Sequence, residues 1–244
     1  KQEELSISLS DVLKKNHIDF IINAAAFTDV DGAEDNSNLA YEVNGNSLLT
    51  ITQQIKRKSI NKKVVLIHFS TDYVFDGSGK KPWFPNSNTN PLSTYGKSKI
   101  MGEKIIRESN IPAIILRTSW VFSKNGDNFL TKIFKKIQEC ESISVVDDQI
   151  GSPTSSDFIA NFCMFLLNHQ ELQNKLGTYH LTGKGIISWF GFAKFITQVA
   201  KDKGVLNGDI SKKILPVKSD NFKSKVKRPK NSHLDCSSLE SKFN

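Results

Sequence analysis

Three strand-length apolar runs, Asp19 to Ala24 (DFIINA), Val64 to Ser70 (VVLIHFS) and Ala113 to Arg117 (AIILR), alternate with long amphipathic stretches, and this alternation constrains the fold more than any other feature. Runs that stay apolar at successive positions suit strands buried on both faces, as in a parallel sheet covered by helices. The pattern predicts a helix from about Leu39 to Arg57 and another from about Ser93 to Ser109. Both crossovers exceed the dozen or so residues that a parallel connection needs. The expected fold class is α/β, a doubly wound parallel sheet.

Beyond Trp120 the texture changes. Helices are expected at Asn128 to Glu139 and Asp157 to Leu167, with a loop DDQIGSPT from Asp147 to Thr154 between them. Thr178 to Leu181 reads as one more strand, followed by a helix from about Trp189 to Lys201 whose apolar face carries Phe192, Phe195, Ile196 and Val199. The remainder, to Asn244, reads as polar, basic and irregular. A chain of 244 residues can bury one substantial core with a small appended lobe.

The longest apolar runs, such as Phe162 to Leu167, fall far short of the roughly 20 residues of a membrane span. The opening KQEELSISLSDVLKK lacks a hydrophobic signal core and a small-residue cleavage site. A cytoplasmic protein without a membrane partner is expected. Cys140, Cys163 and Cys236 are too widely spaced for a disulfide framework or a metal knuckle. His17, His68, His169, His180 and His233 never fall at zinc-ligand spacing, so no metal is expected.

The net charge of +8 is concentrated between Asp209 and Lys230, where Lys212, Lys213, Lys218, Lys223, Lys225, Lys227, Arg228 and Lys230 face only Asp209 and Asp220. Such a stretch can hold nucleic acid, neutralise a diphosphate or form a solvated surface. Phe222 is its one aromatic, a poor match to a base-stacking surface, so no nucleic-acid partner is expected.

The segment richest in chemistry runs from STDYVFDG (Ser70 to Gly77) to PLSTYGKSKIMGE (Pro91 to Glu103). Tyr95 and Lys99 stand at i and i+4, on one face of a helix. A neighbouring ammonium favours an ionised phenol and is expected to lower the Tyr95 pKa, suiting Tyr95 to act as general acid on a carbonyl. A hydroxyl at the end of the preceding strand, Ser70 or Thr71, would give the developing alkoxide a second hydrogen bond. Alone the spacing is weakly diagnostic; Tyr41, Tyr73 and Tyr179 each have Gly at i+4 instead.

A doubly wound nucleotide fold normally opens with a strand, a Gly-rich turn and a helix that receives the pyrophosphate. None of the 14 glycines forms GxGxxG or GxxGxxG, and the chain begins inside what reads as the helix before DFIINA. Truncation is the expectation drawn from this, with weak or no NADPH binding by the 244-residue chain.

Six ordered strings carry a specific resemblance: NAAAFTDVDGAE (Asn23 to Glu34), STDYVFDG, PLSTYGKSKIMGE, RTSWVF (Arg117 to Phe122), DDQIGSPT and RPKNSHLD (Arg228 to Asp235). Together they resemble the dTDP-4-dehydrorhamnose reductase family of extended short-chain dehydrogenases/reductases, over nearly the whole chain. The resemblance implies NADPH- or NADH-dependent reduction of the C4 keto group of a dTDP-linked 6-deoxysugar, completing dTDP-L-rhamnose synthesis. It makes Tyr95 the proton donor, Lys99 the holder of the nicotinamide ribose and Thr71 the hydroxyl partner. Ala26, Phe27 and Thr28 match the cofactor-contacting loop, together with Tyr95 and Lys99. Thr71, Asp72 and Trp120 match substrate-contacting positions; Trp120 could equally be a core aromatic. Arg228 and the DDQIGSPT loop would face the nucleotide diphosphate and base.

Residues 1–145 are then expected to form the dinucleotide-binding part. Residues 146–244 would be mainly a substrate-binding lobe, with some segments returning to the first. The partner implied is a nucleotide sugar, and a homodimer is compatible with the resemblance. Where the family has Leu-Asp-Ile before the second helix, this chain has Leu5, Ser6 and Ile7. A non-catalytic regulator, of the methionine adenosyltransferase regulatory subunit type, resembles the same reductases and is the alternative.

Overall fold

The computed structural model describes residues 2–58, 64–139, 142–206, 214–221 and 224–243. Cys140, Asp209, Lys212, Lys213, Phe222 and Lys223, which entered the sequence reading, lie outside them.

The three expected strands form, with bounds shifted by a residue or two: β1 (Phe20–Asn23), β2 (Val65–Thr71) and β3 (Ala113–Thr118). With β8 (Gly177–His180) they make a four-stranded, all-parallel sheet in the order β1-β2-β3-β8. Alternation of side chains explains why these runs are apolar throughout. Val65, Ile67, Ile114 and Leu116 pack on one face with Cys163 and Leu166 of α7 (Ser156–Leu167) and Leu239 and Phe243 of α9 (Ser237–Phe243). Leu66 and Ile115 pack on the other with Leu48, Ile51 and Ile55 of α4 (Ser47–Lys58) and Ile106 of α5 (Thr94–Ser109). Leu5 and Leu9 of α1 (Gln2–Lys15) add to that second face. The expected doubly wound architecture is present.

The single helix expected from Leu39 to Arg57 is instead α3 (Ser37–Tyr41), a π-helical turn at Glu42–Asn46, and α4, with a further short helix, α2 (Val30–Asp35), ahead of them. Apolar periodicity has no signature for the π turn, from which the buried Asn44 side chain bonds outward to two other segments. Such turns are frequent at functional sites.

A second core gathers α6 (Phe129–Glu139), α8 (Trp189–Asp202), β5 (Ile143–Val146) and β10 (Ile214–Val217), through Ile133, Ile137, Ile143, Val145, Phe192, Ile196 and Ile214. Ile133 and Ile137 lie before the expected boundary at 145 but pack in this core, whereas α7, β8 and α9 lie after it and pack on the main sheet. Amphipathic helices carry no label for the sheet they cover, so sequence order alone does not say which of the segments after 145 return to the main sheet.

The C-terminal stretch is likewise more ordered than its polar composition suggests. Besides β10 and α9 it contains β11 (Asn231–Ser232), parallel to β6 (Ile150–Gly151). The RPKNSHLD string lies along the loop after β2: Asn231 N–H donates to Gly77 O at 3.1 Å, Trp83 N–H to His233 O at 2.8 Å, and Asp235 N–H to Trp83 O at 2.8 Å. Backbone pairing needs no apolar side chains, so hydropathy missed it.

Candidate active site

The hydroxyl pair forms at the carboxyl ends of the parallel strands, where open α/β sheets bind ligands. Thr71 is the last residue of β2, and its side chain stands beside the phenol of Tyr95, in the first turn of α5, near enough to hold that phenol's pKa down. Ser93 caps α5 by accepting from Gly96 N–H at 3.2 Å. Glu34, the last residue of NAAAFTDVDGAE, receives Thr94 N–H at 2.8 Å and the Thr94 hydroxyl at 2.6 Å. A Cβ at Gly96 would lie 2.3 Å from Tyr73 O, so only glycine lets α5 approach the turn after β2 this closely. That approach brings Tyr95 to Thr71.

Of the two hydroxyls left open by the sequence, Ser70 turns into the interface between sheet and helix and donates to Glu103 Oε1 at 2.5 Å. Thr71 alone of the two meets Tyr95, and it also donates to Asp72 Oδ1 at 3.1 Å. Adjacent strand residues point to opposite faces, which separates their roles.

The electrostatics correct one expectation. Burial pushes the Tyr95 phenol up to about 12; the Thr71 hydrogen bond opposes this and the Asp72 carboxylate adds to it. Burial pulls the Lys99 ammonium down to about 8, with Glu103 acting the other way. Lys99 therefore does not acidify Tyr95 here, because desolvation disfavours the charged form of both groups. Asp72 is under the same pressure: burial raises it to about 6 against hydrogen bonds from Ser232 and Thr71. Its Oδ2 has no hydrogen-bond partner.

The Ala26–Phe27–Thr28 segment follows β1 and is pinned by a residue the sequence reading missed. Asn44 accepts Phe27 N–H at 2.8 Å and donates to Phe27 O at 3.0 Å and to Ser98 Oγ of α5 at 3.0 Å. The loop shape is thus tied to the helix that carries Tyr95 and Lys99. Ala24, Ala25 and Ala26 leave space above the strand ends, and the Lys99 ammonium lies among buried groups one helical turn from Tyr95. Small side chains beside a cation and hydroxyls fit the ribose end of a nicotinamide dinucleotide.

Trp120 stands two residues beyond Thr118, which is in register with Thr71. Its backbone is left-handed at φ 49°, an uncommon conformation for an aromatic residue and one that clusters at functional sites. Its indole stacks on Trp189 with centroids 3.6 Å apart, and a Cβ at Gly151 would come within 2.6 Å of it. Trp189, at the start of α8, had no sequence signal beyond being aromatic.

Arg228 reaches this region but is engaged. It pairs with Asp31 of α2 and bonds Ser224, and it also contacts the Tyr73 hydroxyl, whose ring packs edge-on against Tyr95 at 5.6 Å. Other cations of the basic stretch are paired within the chain as well: Lys225 with Asp35 at 3.0 Å, and Lys230 with Asp148 at 3.4 Å. In DDQIGSPT, Asp148 also receives Ser219 N–H at 2.7 Å, and Asp147 the Ser188 hydroxyl at 2.6 Å. These carboxylates stitch the second lobe together. A cavity of about 850 Å³ beside β8, walled by Phe158, Phe162, Leu181, Cys236 and Phe243, is lined by none of Thr71, Tyr95 or Lys99.

Comparison with known proteins agrees with this geometry. The family described as RmlD substrate binding domain matches residues 4–244. A dTDP-4-dehydrorhamnose reductase of Sinorhizobium fredii is 35% identical over 228 residues, covering 92% of this chain and 74% of the relative. The crystal structure of dTDP-4-dehydrorhamnose reductase from Bacillus anthracis in complex with NADP superposes with a TM-score of 0.86 at 31% identity, covering 99% of this chain and 79% of that one. A reductase ortholog from Clostridium acetobutylicum gives 0.85 at 30% identity, with 98% and 80% covered. No helix among the described residues is long and apolar enough to cross a membrane. With its family match, its relatives and its hydroxyl pair in agreement, the chain belongs to the dTDP-4-dehydrorhamnose reductase family.

Proposed function

We propose that this protein reduces the C4 keto group of dTDP-4-dehydrorhamnose with NADPH or NADH, and that the Thr71–Tyr95 hydroxyl pair is the observation that carries the chemistry. A bound nicotinamide cofactor supplies the hydride. Tyr95, a neutral phenol held near 12, carries the proton that the sugar oxygen needs as it becomes an alkoxide, a stronger base than phenolate. Thr71 donates a second hydrogen bond to that oxygen. Lys99, still an ammonium at neutral pH, holds the ribose hydroxyls. Ala26, Phe27 and Thr28 line the cofactor. Asp72 and Trp120 contact the sugar, with Trp189 fixing the Trp120 indole. Arg228 engages the diphosphate by exchanging it for Asp31.

The reading places the protein in the cytoplasm, with a nucleotide sugar as its partner and no role for nucleic acid; sedimentation of the purified protein tests a homodimer. The regulatory-subunit alternative is set aside because the relatives described above carry reductase names. The deciding experiment is to incubate the intact protein with NADPH and dTDP-4-dehydrorhamnose. Substrate-dependent oxidation of the cofactor is expected; none, from a folded protein that binds both ligands, returns the regulator.

A further inference from the structure

Helix α5 carries Tyr95, Lys99, Glu103 and Arg107 at successive i+4 positions, which places all four on one face. The stripe runs from the site into the interior: Lys99 is 2% exposed and Glu103 is fully buried. Arg117 of β3, also 2% exposed, holds Glu103 in a fork, with Nε to Oε1 at 2.8 Å and Nη2 to Oε2 at 2.7 Å. Ser70 of β2 donates to Oε1 at 2.5 Å and Arg107 to Oε2 at 2.9 Å. The remaining Arg117 donor reaches Pro85 O at 3.0 Å, and its guanidinium lies over the Phe75 ring.

The charges around this carboxylate do not cancel by pairs. Arg107 and Arg117 both contact the one buried anion, and Lys99 stands one helical turn away on the same face. The other titratable groups facing it add no cation: burial and Lys99 hold His68 of β2 well below its ordinary value, and burial and Arg117 hold His180 of β8 down at about 3. Toward the mouth of the site stand Tyr95 and the Asp72 carboxylate. Glu103 is itself fully ionised: burial alone would raise it, but Arg117, Ser70 and Arg107 outweigh that and hold it at about 2.

We propose that Glu103 is a positioning residue for the reductase chemistry: its carboxylate, clamped by Arg117 and Ser70, keeps the buried Lys99 charged one helical turn away, at the place where the ribose needs an ammonium. A buried lysine beside cations discharges readily, and a fixed anion in low dielectric is the means of preventing it. The clamp therefore does more than brace β3 against α5. This rests on the reading of Lys99 given above, and its test avoids turnover so that the two can fail separately.

The test is an NMR titration of the full chain carrying ¹³Cε-labelled lysine, with the Lys99 signal assigned by its loss in Lys99→Arg. The unsubstituted protein should titrate near 8 at Lys99. In Glu103→Gln the midpoint should fall by about one unit or more, a loss of roughly tenfold in the ratio of ammonium to amine. Glu103→Gln alone strands a buried guanidinium and can unfold the chain, and Glu103→Gln/Arg117→Met removes a cation along with the anion, so the decisive measurement is the double variant against Arg117→Met alone. A Lys99 midpoint lower in the double variant than in Arg117→Met, with the midpoint restored toward 8 in Glu103→Asp, supports the proposal. Equal midpoints in the two, with native near-ultraviolet circular dichroism, overturn it, leaving Glu103 a structural clamp only.

Discussion

Two regions of the same helix treat burial in opposite ways. At the Glu103 end of α5 both carboxylate oxygens take two donors each, from Arg117, Ser70 and Arg107. At the Tyr95 end the compensation is incomplete: Asp72 Oδ2 has no partner, and burial shifts Tyr95, Asp72 and Lys99 toward their neutral forms. A satisfied polar network braces a fold, while an under-satisfied one stores the free energy that a ligand can release. The contrast explains why the two ends should answer differently to substitution.

The largest effect is expected at Tyr95. Tyr95→Phe should reduce turnover by about 10²–10⁴-fold while leaving the melting temperature within a few degrees, since only the hydroxyl is lost. Retained turnover would remove Tyr95 as the acid and erase the distinction between the ends. Arg117→Met should do the converse, costing about 3–5 kcal/mol in urea unfolding because Glu103 is left buried with its fork of donors gone and only Arg107 and Ser70 to hold it. A loss below about 1 kcal/mol would show that the clamp does not carry stability.

The two carboxylates should also give stability limbs of opposite sign. Glu103 lies at about 2, below its ordinary 4.5, so its contribution is complete above pH 4.5 and is lost as pH falls through about 2. Asp72 lies at about 6, above its ordinary 3.8, so its contribution is complete below pH 3.8 and is lost as pH rises through about 6. Melting temperatures across both windows should show the two limbs, and Asp72→Asn should abolish only the upper one. The smallest effect concerns the second lobe: Gly151→Ala should push the Trp120 indole aside, raising KM by about tenfold or less with kcat nearly unchanged. An equal fall in kcat would make Trp120 part of the reacting geometry.

Much of this was legible beforehand, and the unread parts have a common cause. The strands near 20–23, 65–71 and 113–118 and the helix from Thr94 were plain, because burial on both faces and amphipathic period leave direct marks in residue order. Tyr95 and Lys99 were found by spacing, yet Glu103, four residues further along the same face, was passed over because its partners, Arg117 and Ser70, come from other strands. Asn44 and Trp189 were missed likewise: one is defined by the backbone of Phe27, the other by the ring of Trp120.

The amino-acid order by itself determined the alternation of strand and helix, the parallel sheet and the tyrosine–lysine face of α5, since each depends on neighbours within one or two turns of chain. Only the tertiary structure decided which hydroxyl meets Tyr95, that burial raises that phenol to about 12, and that Arg228 is held by Asp31. Hydrogen bonding and desolvation depend on distances between segments far apart in sequence, and no local pattern records them.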